Sequence, residues 1–573
     1  MKHRGPVSGV ATSKNKYVAT AGYDNKVILW DALTNKPLAI GTHDHLANQC
    51  QFSHCGKFLV SSSSDHTARL WSLPHMKLIS VLADHTDDVE CATIHPKLQL
   101  IATGSRDGQA RLFDFSGKLI ARFSGHKADV ISLNWLSNTN DLVTTSDDGT
   151  IRRWSIFNNK KHSKLFDSNI QTDALVVASN GTIYAGNDKG EILVISENET
   201  HTITAHAVGI KKLILNHSGN QLLSLGYDKK AILWTIKSSK SPEMSHVIDL
   251  PYFVWARSAA FLNKNRLVFA TFGSSYCEYD ISEKKWFTNN IVLNNCLNAV
   301  CITDADIWTI GDSGILKKNG RNFQQLPSLC NFLIEFNGSI ITGGQSGDIF
   351  NATTNKIIHS NASPLNCAEV FVKNGVRHLI IGTYTGEALI FSEKENTIIY
   401  QSTIKLHDNA IKGISATNGI LFSVCATGAA AWHSTHDYQV INNLADAHHK
   451  IANGCDHLAE TAFISVSRDR VLRFWEIGSS KLIASINTPH THSIKCISST
   501  PAGTYIATGS YNGRVSIYDT KNKLWNSIRP TQSGISCLKF SKVLNKFIAS
   551  SYDGRLYAIN LKSDDYMVVL NHD

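Results

Sequence analysis

Histidine, aspartate and tryptophan return along this chain at offsets that could carry acid–base chemistry. His126 and Asp148 are a pair of the kind that moves a proton or activates a nucleophile, and Trp154 lies six residues beyond the aspartate. The pattern is repeated. Asp24, Asp65, Asp107, Asp228 and Asp469 also stand six positions before an aromatic residue, respectively Trp30, Trp71, Phe113, Trp234 and Trp475, and Asn512 stands six before Tyr518. An enzyme needs one site, so a constellation that recurs this often points to structure. Asp148→Ala is expected to cost stability rather than activity. No catalytic residue is assigned.

Twenty-five histidines and twelve cysteines offer zinc ligands by type, so spacing is the test. His43, His45, His54 and Cys55 crowd together and His448 adjoins His449, yet neither group has CxxC or HExxH form, and no metal or cofactor is expected. Cys91 and Cys496 each follow a repeat histidine by six residues and read as small packing groups. No GxxxxGK followed by Ser or Thr, and no GxGxxG opening a helix, is present, which argues against nucleotide chemistry. Asn-x-Ser/Thr triplets at Asn180, Asn198, Asn216, Asn337, Asn351 and Asn361 are read as composition. Basic residues gather at Arg152, Arg153, Lys160, Lys161, Lys164, Lys211, Lys212, Lys229, Lys230, Lys237 and Lys240. They could follow a phosphate backbone as one groove, or sit on separate loops and outer strands where lysines keep sheet edges soluble.

The chain of 573 residues is 42% hydrophobic and 18% charged with mean hydropathy -0.13, the balance of a soluble globular protein. Net charge is +9, mild for this size. No run approaches the ~18 apolar residues of a membrane span, and the opening Met-Lys-His-Arg-Gly-Pro lacks the apolar core of a signal peptide. The expectation is a cytoplasmic protein, with nuclear residence as the alternative, no membrane insertion and reduced cysteines.

What positions these residues is a repeat. Ala21-Gly-Tyr-Asp-Asn-Lys-Val-Ile-Leu-Trp-Asp31 returns as Ser63 to Ser72, Gly104 to Asp114 and Thr145 to Ser155, about every 41 residues, and again at 227–235, 468–476, 511–519 and 552–560. A histidine stands four residues before a β-branched residue at His3/Val7, His85/Val89, His126/Val130, His206/Ile210, His407/Ile411 and His490/Ile494. Between these landmarks lie short β-rich runs such as Val130-Ile-Ser-Leu-Asn-Trp135 and Asp141-Leu-Val-Thr-Thr145. Asp107-Gly108, Asp148-Gly149, Asn512-Gly513 and Asp553-Gly554 supply hairpin turns.

On these residues, with Gly125-His126 giving the full Gly-His pair, the chain resembles the WD40-repeat family, whose signature is Gly-His near the start and Trp-Asp near the end of a four-stranded blade. The resemblance implies that His126 and Asp148 meet through a Ser or Thr with Trp154 packed beneath. Fourteen units can be walked, starting near residues 3, 43, 85, 126, 167, 206, 250, 288, 329, 361, 406, 447, 490 and 530. Rings of this kind hold roughly 4 to 8 blades, so two rings of seven are the simplest partition. The expectation is an all-β chain of two WD40-type propellers. Residues 1–288 would form blades 1–7 and residues 289–573 blades 8–14, of which 8–10 are degenerate. Strand exchange between terminal blades, or a ring shared by both termini, stays open.

In this family the residue before the turn aspartate lies near the mouth of the central channel. Those positions read Tyr23, Arg106, Asp147, Asn187, Tyr227, Arg468, Tyr511 and Tyr552. Tyr and Arg are enriched at protein-binding hot spots, so Tyr23, Arg106, Tyr227, Arg468, Tyr511 and Tyr552 are candidate docking residues; the alternative is that the tyrosines only shield a neighbouring blade. The reading is a non-catalytic scaffold or adaptor whose partners are other proteins. Three alternatives accompany it. One is an enzyme or small-ligand binder at a channel mouth of the degenerate ring, where Asp304, Asp306 and Glu335 would have to converge. Another is an actin-interacting double propeller, similar in layout only. The third is a nucleic-acid-associated WD40 subunit.

Overall fold

The computed structural model describes residues 1–13, 16–136, 139–157, 162–196, 199–237, 241–288, 291–304, 306–395, 397–562 and 565–570. Every strand pairs antiparallel with its neighbour in sequence, giving fourteen four-stranded sheets and, among the described residues, no helix. Blade 4 exemplifies the logic with strands Val130–Trp135, Leu142–Ser146, Thr150–Trp154 and His162–Asp167. Asp148-Gly149 turns the chain because Gly149 adopts φ +77, and at the same place in other blades Asn25, His66, Lys229 and Arg470 accept positive φ. The second strand is buried throughout, whereas the fourth faces outward with mostly exposed or half-exposed residues.

The innermost strands of blades 1–7 are Val7–Ser13, Ala47–Phe52, Val89–Ile94, Val130–Trp135, Thr172–Val177, Ile210–Leu215 and Val254–Phe261. Each packs on the next, and the seventh packs on the first, so the ring closes. Those of blades 8–14 are Leu297–Ile302, Cys330–Phe336, Leu365–Lys373, Ile411–Thr417, Ala452–Leu458, Ile494–Ser499 and Ile535–Ser541, and they close in the same way. Both rings are contiguous in sequence, with no strand exchanged between terminal blades. Closure of the first ring is apolar and polar together. Val7, Val18, Ile28 and Trp30 pack with Val268, Ala270 and Tyr276, while Ser258 Oγ accepts from Val10 N at 3.0 Å and Thr12 Oγ1 donates to Phe261 O at 2.7 Å. In the second ring Leu297 and Val300 pack with Ile548, Leu556 and Ala558. The core thus lies between blades, where flat sheets bury their faces on one another.

The two compact units are Met1–Asn294 and Asn295–Asp573. Residues 291–294 stay with blade 7, because Ser274 N donates to Val292 O at 2.8 Å and Gly273 bridges Leu293.

One irregularity positions the channel residues. In every blade but the seventh, the second residue of the innermost strand is a bulge, with two residues opposing one on the partner strand. A bulge re-aims a side chain out of the period-two alternation. The bulged residues are Ser8, Asn48, Glu90, Ile131, Asp173 and Lys211 in the first ring, and Asn298, Asn331, Asn366, Lys412, Asn453, Lys495 and Ser536 in the second.

Candidate functional site

The histidines and aspartates of the repeat are saturated by one another. His Nδ1 meets the turn aspartate in His3–Asp24 (2.8 Å), His43–Asp65 (3.0 Å), His85–Asp107 (2.9 Å), His126–Asp148 (3.0 Å), His206–Asp228 (2.9 Å) and His448–Asp469 (3.0 Å). Nε2 meets a hydroxyl on the buried second strand, Thr144 Oγ1 at 2.7 Å in the case of His126, and the indole of Trp154 donates to that same oxygen at 2.8 Å. Trp30, Trp71, Trp234 and Trp475 do likewise to Thr20, Ser61, Ser224 and Ser465. Phe113 has no such donor, and in that blade Arg111 reaches Asp107 at 2.6 Å.

A hydroxyl that accepts from the indole and directs its own proton at Nε2 leaves Nδ1–H to donate to the carboxylate. Burial pushes His43, His85 and His448 down toward neutral imidazole against the pull of their aspartates. Burial, the largest single influence, would raise the carboxyls of Asp65, Asp107, Asp148 and Asp469, but the hydrogen bond from the histidine, its charge and the further donors on each carboxylate together outweigh it and hold them well below the usual carboxylate range. In these six blades both imidazole nitrogens are thus engaged within the blade. Blades 11 and 13 keep half of the arrangement: His407 meets Ser423 and His490 meets Thr508, both at 2.9 Å. Asn512 turns its amide to Thr491 and His492 instead of His490.

Other chemistry-bearing residues disperse. His43 and His448 are engaged by Asp65 and Asp469, so neither is available to a metal, while Cys55 is exposed. Ligand atoms of His66, Asp87 and Asp88, which spacing does not single out, lie within 4.8 Å of one another. All twelve cysteines are thiols, most of them buried. Of the basic residues, Lys211 and Lys212 reach the channel, whereas Lys164 and Lys237 pair with Asp167 and Glu243, both at 2.6 Å, on the outer strands. Lys160, Lys161 and Lys240, like Asn198, lie outside the described residues. Asp306 is held by Lys318 at 2.9 Å and Glu335 by Arg377 at 3.2 Å, in separate places, while Asp304 is exposed.

The residues before the turn aspartates share one backbone geometry. Tyr23, Arg106, Tyr227, Arg468, Tyr511 and Tyr552 each donate their N–H, at 2.9–3.1 Å, to the residue preceding the innermost strand: Pro6, Asp88, Gly209, Ile451, Ser493 and Gly534. All six side chains are partly exposed. Asp147 takes the position in blade 4, but blade 5 corrects the sequence reading. There Asp188, not Asn187, makes this bond, to Gln171 O at 2.9 Å, while Asn187 is buried and donates to Glu191 at 2.8 Å. The Asn-Asp-Lys-Gly turn carries lysine where other blades carry the turn aspartate, so alignment on the aspartate slips by one residue.

The bulged residues join these positions around each mouth, and only the structure reveals them. Small polar ones stitch neighbouring blades by donating to the first residue of the next innermost strand: Ser8 to Ala47 O (2.5 Å), Asn48 to Val89 O (2.9 Å), Asn298 to Cys330 O (3.1 Å), Asn331 to Leu365 O (2.8 Å), Asn366 to Ile411 O (2.5 Å) and Asn453 to Ile494 O (2.6 Å). In the first ring the charged ones pair. Arg106 meets Glu90 at 2.5 Å and Asp129 at 3.1 Å, Arg257 of blade 7 reaches Glu90 of blade 3 at 3.1 Å, and Lys211 holds Asp173 and Asp188. Lys212 of blade 6 likewise reaches Gln49 of blade 2 at 3.0 Å, so these side chains span the channel. Desolvation, with Asp173 and Asp129 beside it, pushes Asp147 well above the ordinary carboxyl range. An aromatic sector completes this mouth: Tyr23 and Phe272 pack on Trp255 at 5.3 and 5.2 Å, with Arg257 over its ring at 5.4 Å. At the second mouth Tyr511 stacks with Tyr552 at 6.4 Å, Arg468 lies 5.9 Å from the Tyr511 ring and Lys412 4.8 Å from the Tyr384 ring.

Comparison with known proteins agrees with this architecture. The family model described as "WD domain, G-beta repeat" matches residues 1–31, 36–72, 76–114, 117–155 and 481–519. The transcription initiation factor TFIID subunit 5 of Caenorhabditis elegans is 32% identical over 157 residues, 27% of this chain and 24% of that protein. The target of rapamycin complex subunit wat1 of Schizosaccharomyces pombe is 26% identical over 182 residues, 31% of this chain and 58% of that protein. A guanine nucleotide-binding protein subunit beta-like protein of Encephalitozoon cuniculi is 23% identical over 279 residues, 42% of this chain and 83% of that protein. The matched stretches thus cover less than two thirds of the first two relatives. Fourteen four-stranded sheets closed into rings of seven, a His–Asp–hydroxyl–indole network within the blades, and these matches together make the chain a WD40-repeat protein.

Proposed function

We propose that this protein is a non-catalytic scaffold or adaptor that assembles other proteins on the mouths of its two rings. The observation that carries the reading is the division of labour among its polar residues. The histidines and aspartates that could do chemistry are consumed within the blades, while Tyr, Arg and Lys side chains are presented, partly exposed, at equivalent positions around each mouth. Such side chains supply rigid amphipathic area and planar or point-charge pairing, which is what protein hot spots use. Relatives named as subunits of a transcription initiation factor and of a target of rapamycin complex support a role inside assemblies. One relative, matched over 32% of its length, is named an E3 ubiquitin-protein ligase, so the repeat also occurs in chains whose names carry an activity. The non-catalytic reading of this chain rests on its own saturated network. The two rings are taken as its two domains, dividing after residue 288 or, given the packing of 291–294 on blade 7, after 294.

The test is purification of the tagged full chain from its own cells, with nuclease treatment and at two salt concentrations. Stoichiometric protein partners that survive both are expected. Partners that vanish with nuclease would replace this reading with the nucleic-acid one.

A further inference from the structure

The two mouths differ in how their charges are balanced. In the first ring the charged bulge residues Glu90, Asp173 and Lys211 find opposite charges on neighbouring turns or across the channel. In the second ring the charged bulge residues are Lys412 and Lys495, both partly exposed, and the other bulge positions are Asn or Ser. Among the described residues neither lysine meets a carboxylate at ion-pair distance. The one acidic residue at the turn positions of this mouth, Asp312, belongs to blade 8, where Asn298 holds it at 2.9 Å. What surrounds Lys412 is Lys495, the Arg468 guanidinium, the thiols of Cys367 and Cys425, and the Tyr384 ring. Desolvation first, then Lys495 and Arg468, press the Lys412 ammonium down to about 7, the state of a cation short of counter-charge.

We propose that the mouth of the second ring, through Lys412, Lys495 and Arg468 flanked by Tyr384 and Tyr511, docks an acidic, carboxylate-bearing extended segment of a partner protein. This rests on the scaffold reading and names the chemistry of one partner. Charge complementarity selects an anion, and two features favour spaced carboxylates over a compact phosphate. The lysines stand on blades 11 and 13, separated by blade 12, whose bulge residue Asn453 is already bonded to Ile494 O. Two ammonium point charges on separate blades, beside a single guanidinium, suit successive acidic side chains, whereas phosphate recognition characteristically uses converging guanidinium forks or backbone N–H nests. The tyrosines give the stem of such a segment a flat apolar surface.

The test measures fluorescence anisotropy of three labelled octapeptides on the full chain: one with alternating Asp and Gly, one with Asn for Asp, and one with phosphoserine for Asp. Unlabelled pyrophosphate serves as a further competitor. The aspartate peptide is expected to bind, the asparagine peptide not, and binding is expected to weaken steeply with salt. Lys412→Met and Lys495→Met should each weaken it about tenfold or more, Lys412→Arg should retain it, and Lys521→Met, on an exposed outer turn, should leave it unchanged. Unaltered unfolding temperature accompanies each variant; if one Met variant fails to fold, the other and the salt dependence of the unmodified chain decide. No binding of the aspartate peptide, equal binding of its asparagine counterpart, or preference for the phosphopeptide or pyrophosphate alone would overturn the proposal. Partners that still co-purify in those cases would leave the scaffold reading standing. An acidic-peptide site on a chain with no protein partner would do the reverse.

Discussion

Asp148→Ala separates a structural network from a catalytic one. The carboxylate accepts from His126 Nδ1 at 3.0 Å, Lys127 N at 2.9 Å, Thr150 N at 2.9 Å and Thr150 Oγ1 at 2.7 Å, and its side chain is 7% exposed. Truncation strands the buried Thr150 N–H and leaves the imidazole N–H only the more distant Thr150 Oγ1, at 3.1 Å; Lys127 is exposed and its N–H rehydrates. At roughly 1–3 kcal/mol for the uncompensated group and about 1 kcal/mol for the weakened one, the expected loss is about 3–4 kcal/mol. For a ring of this size about 2 °C follows from each kcal/mol, so the unfolding temperature of the first ring should fall by roughly 6–8 °C. Asn512→Ala in blade 13, where the amide nitrogen contacts Thr491 and His492 and the amide oxygen accepts from the part-buried Arg514 N at 3.2 Å, should cost about 1 kcal/mol by the same reasoning. Scanning calorimetry of the full chain, with each variant assigned to the transition it moves, reads both. The sign in pH follows from the depressed Asp148 carboxyl. Its contribution is present above the unfolded carboxyl value of about 4 and is lost as pH falls through the folded value below it, so the gap between wild type and Asp148→Ala should close in acid. An unfolding temperature unchanged within about 1 °C at neutral pH would refute this reading of the network.

Three further outcomes are expected. Burial brings His407 down to about 4 and His490 down to about 3, and neither has an aspartate opposite; because the folded chain keeps them neutral while the unfolded chain protonates near 6.5, the second ring should lose stability as pH falls from about 6.5 toward 4, by roughly 3 kcal/mol per histidine. Calorimetry of His407→Gln, which should flatten that slope, checks it. A Cβ on Gly311 would fall 1.7 Å from Cys296 O, so Gly311→Ala should cost about 3 kcal/mol, whereas Gly219→Ala, with φ +72 but nothing within 4 Å, should cost about 1 kcal/mol; denaturant melts distinguish them. Asn366→Leu removes the stitch from blade 10 to Ile411 O and should speed amide exchange at the blade 10–11 junction while leaving other blades protected.

The repeat was legible because its chemistry is local: a turn aspartate, a hairpin and an aromatic residue lie within one blade, and the fourteen units follow from them. What spacing could not reveal depends on the ring. Cross-channel partners such as Lys212 with Gln49 and Arg257 with Glu90 are 163 and 167 residues apart. The bulges leave no mark in a period-two reading, since one inserted residue shifts the face without altering composition. Blades 8–10 look degenerate because they lack the His–Asp pair, yet Asn298, Asn331 and Asn366 tie them to their neighbours, and Gly311 and Gly344 let the preceding loop close in on the strand. Asn187 was misplaced for a local reason, the lysine in the turn of blade 5.

If the blade network holds the rings and the mouths hold the partners, the two roles separate by mutation. Co-purification of tagged wild type, Asp148→Ala and the double variant Lys412→Met/Lys495→Met, each paired with its unfolding temperature, reads both. The mouth variant is expected to keep the wild-type unfolding temperature and lose a stoichiometric partner, while Asp148→Ala loses stability and, below its lowered transition, keeps every partner. A mouth variant that retains all partners, or a network variant that loses one while folded, would contradict this separation of roles.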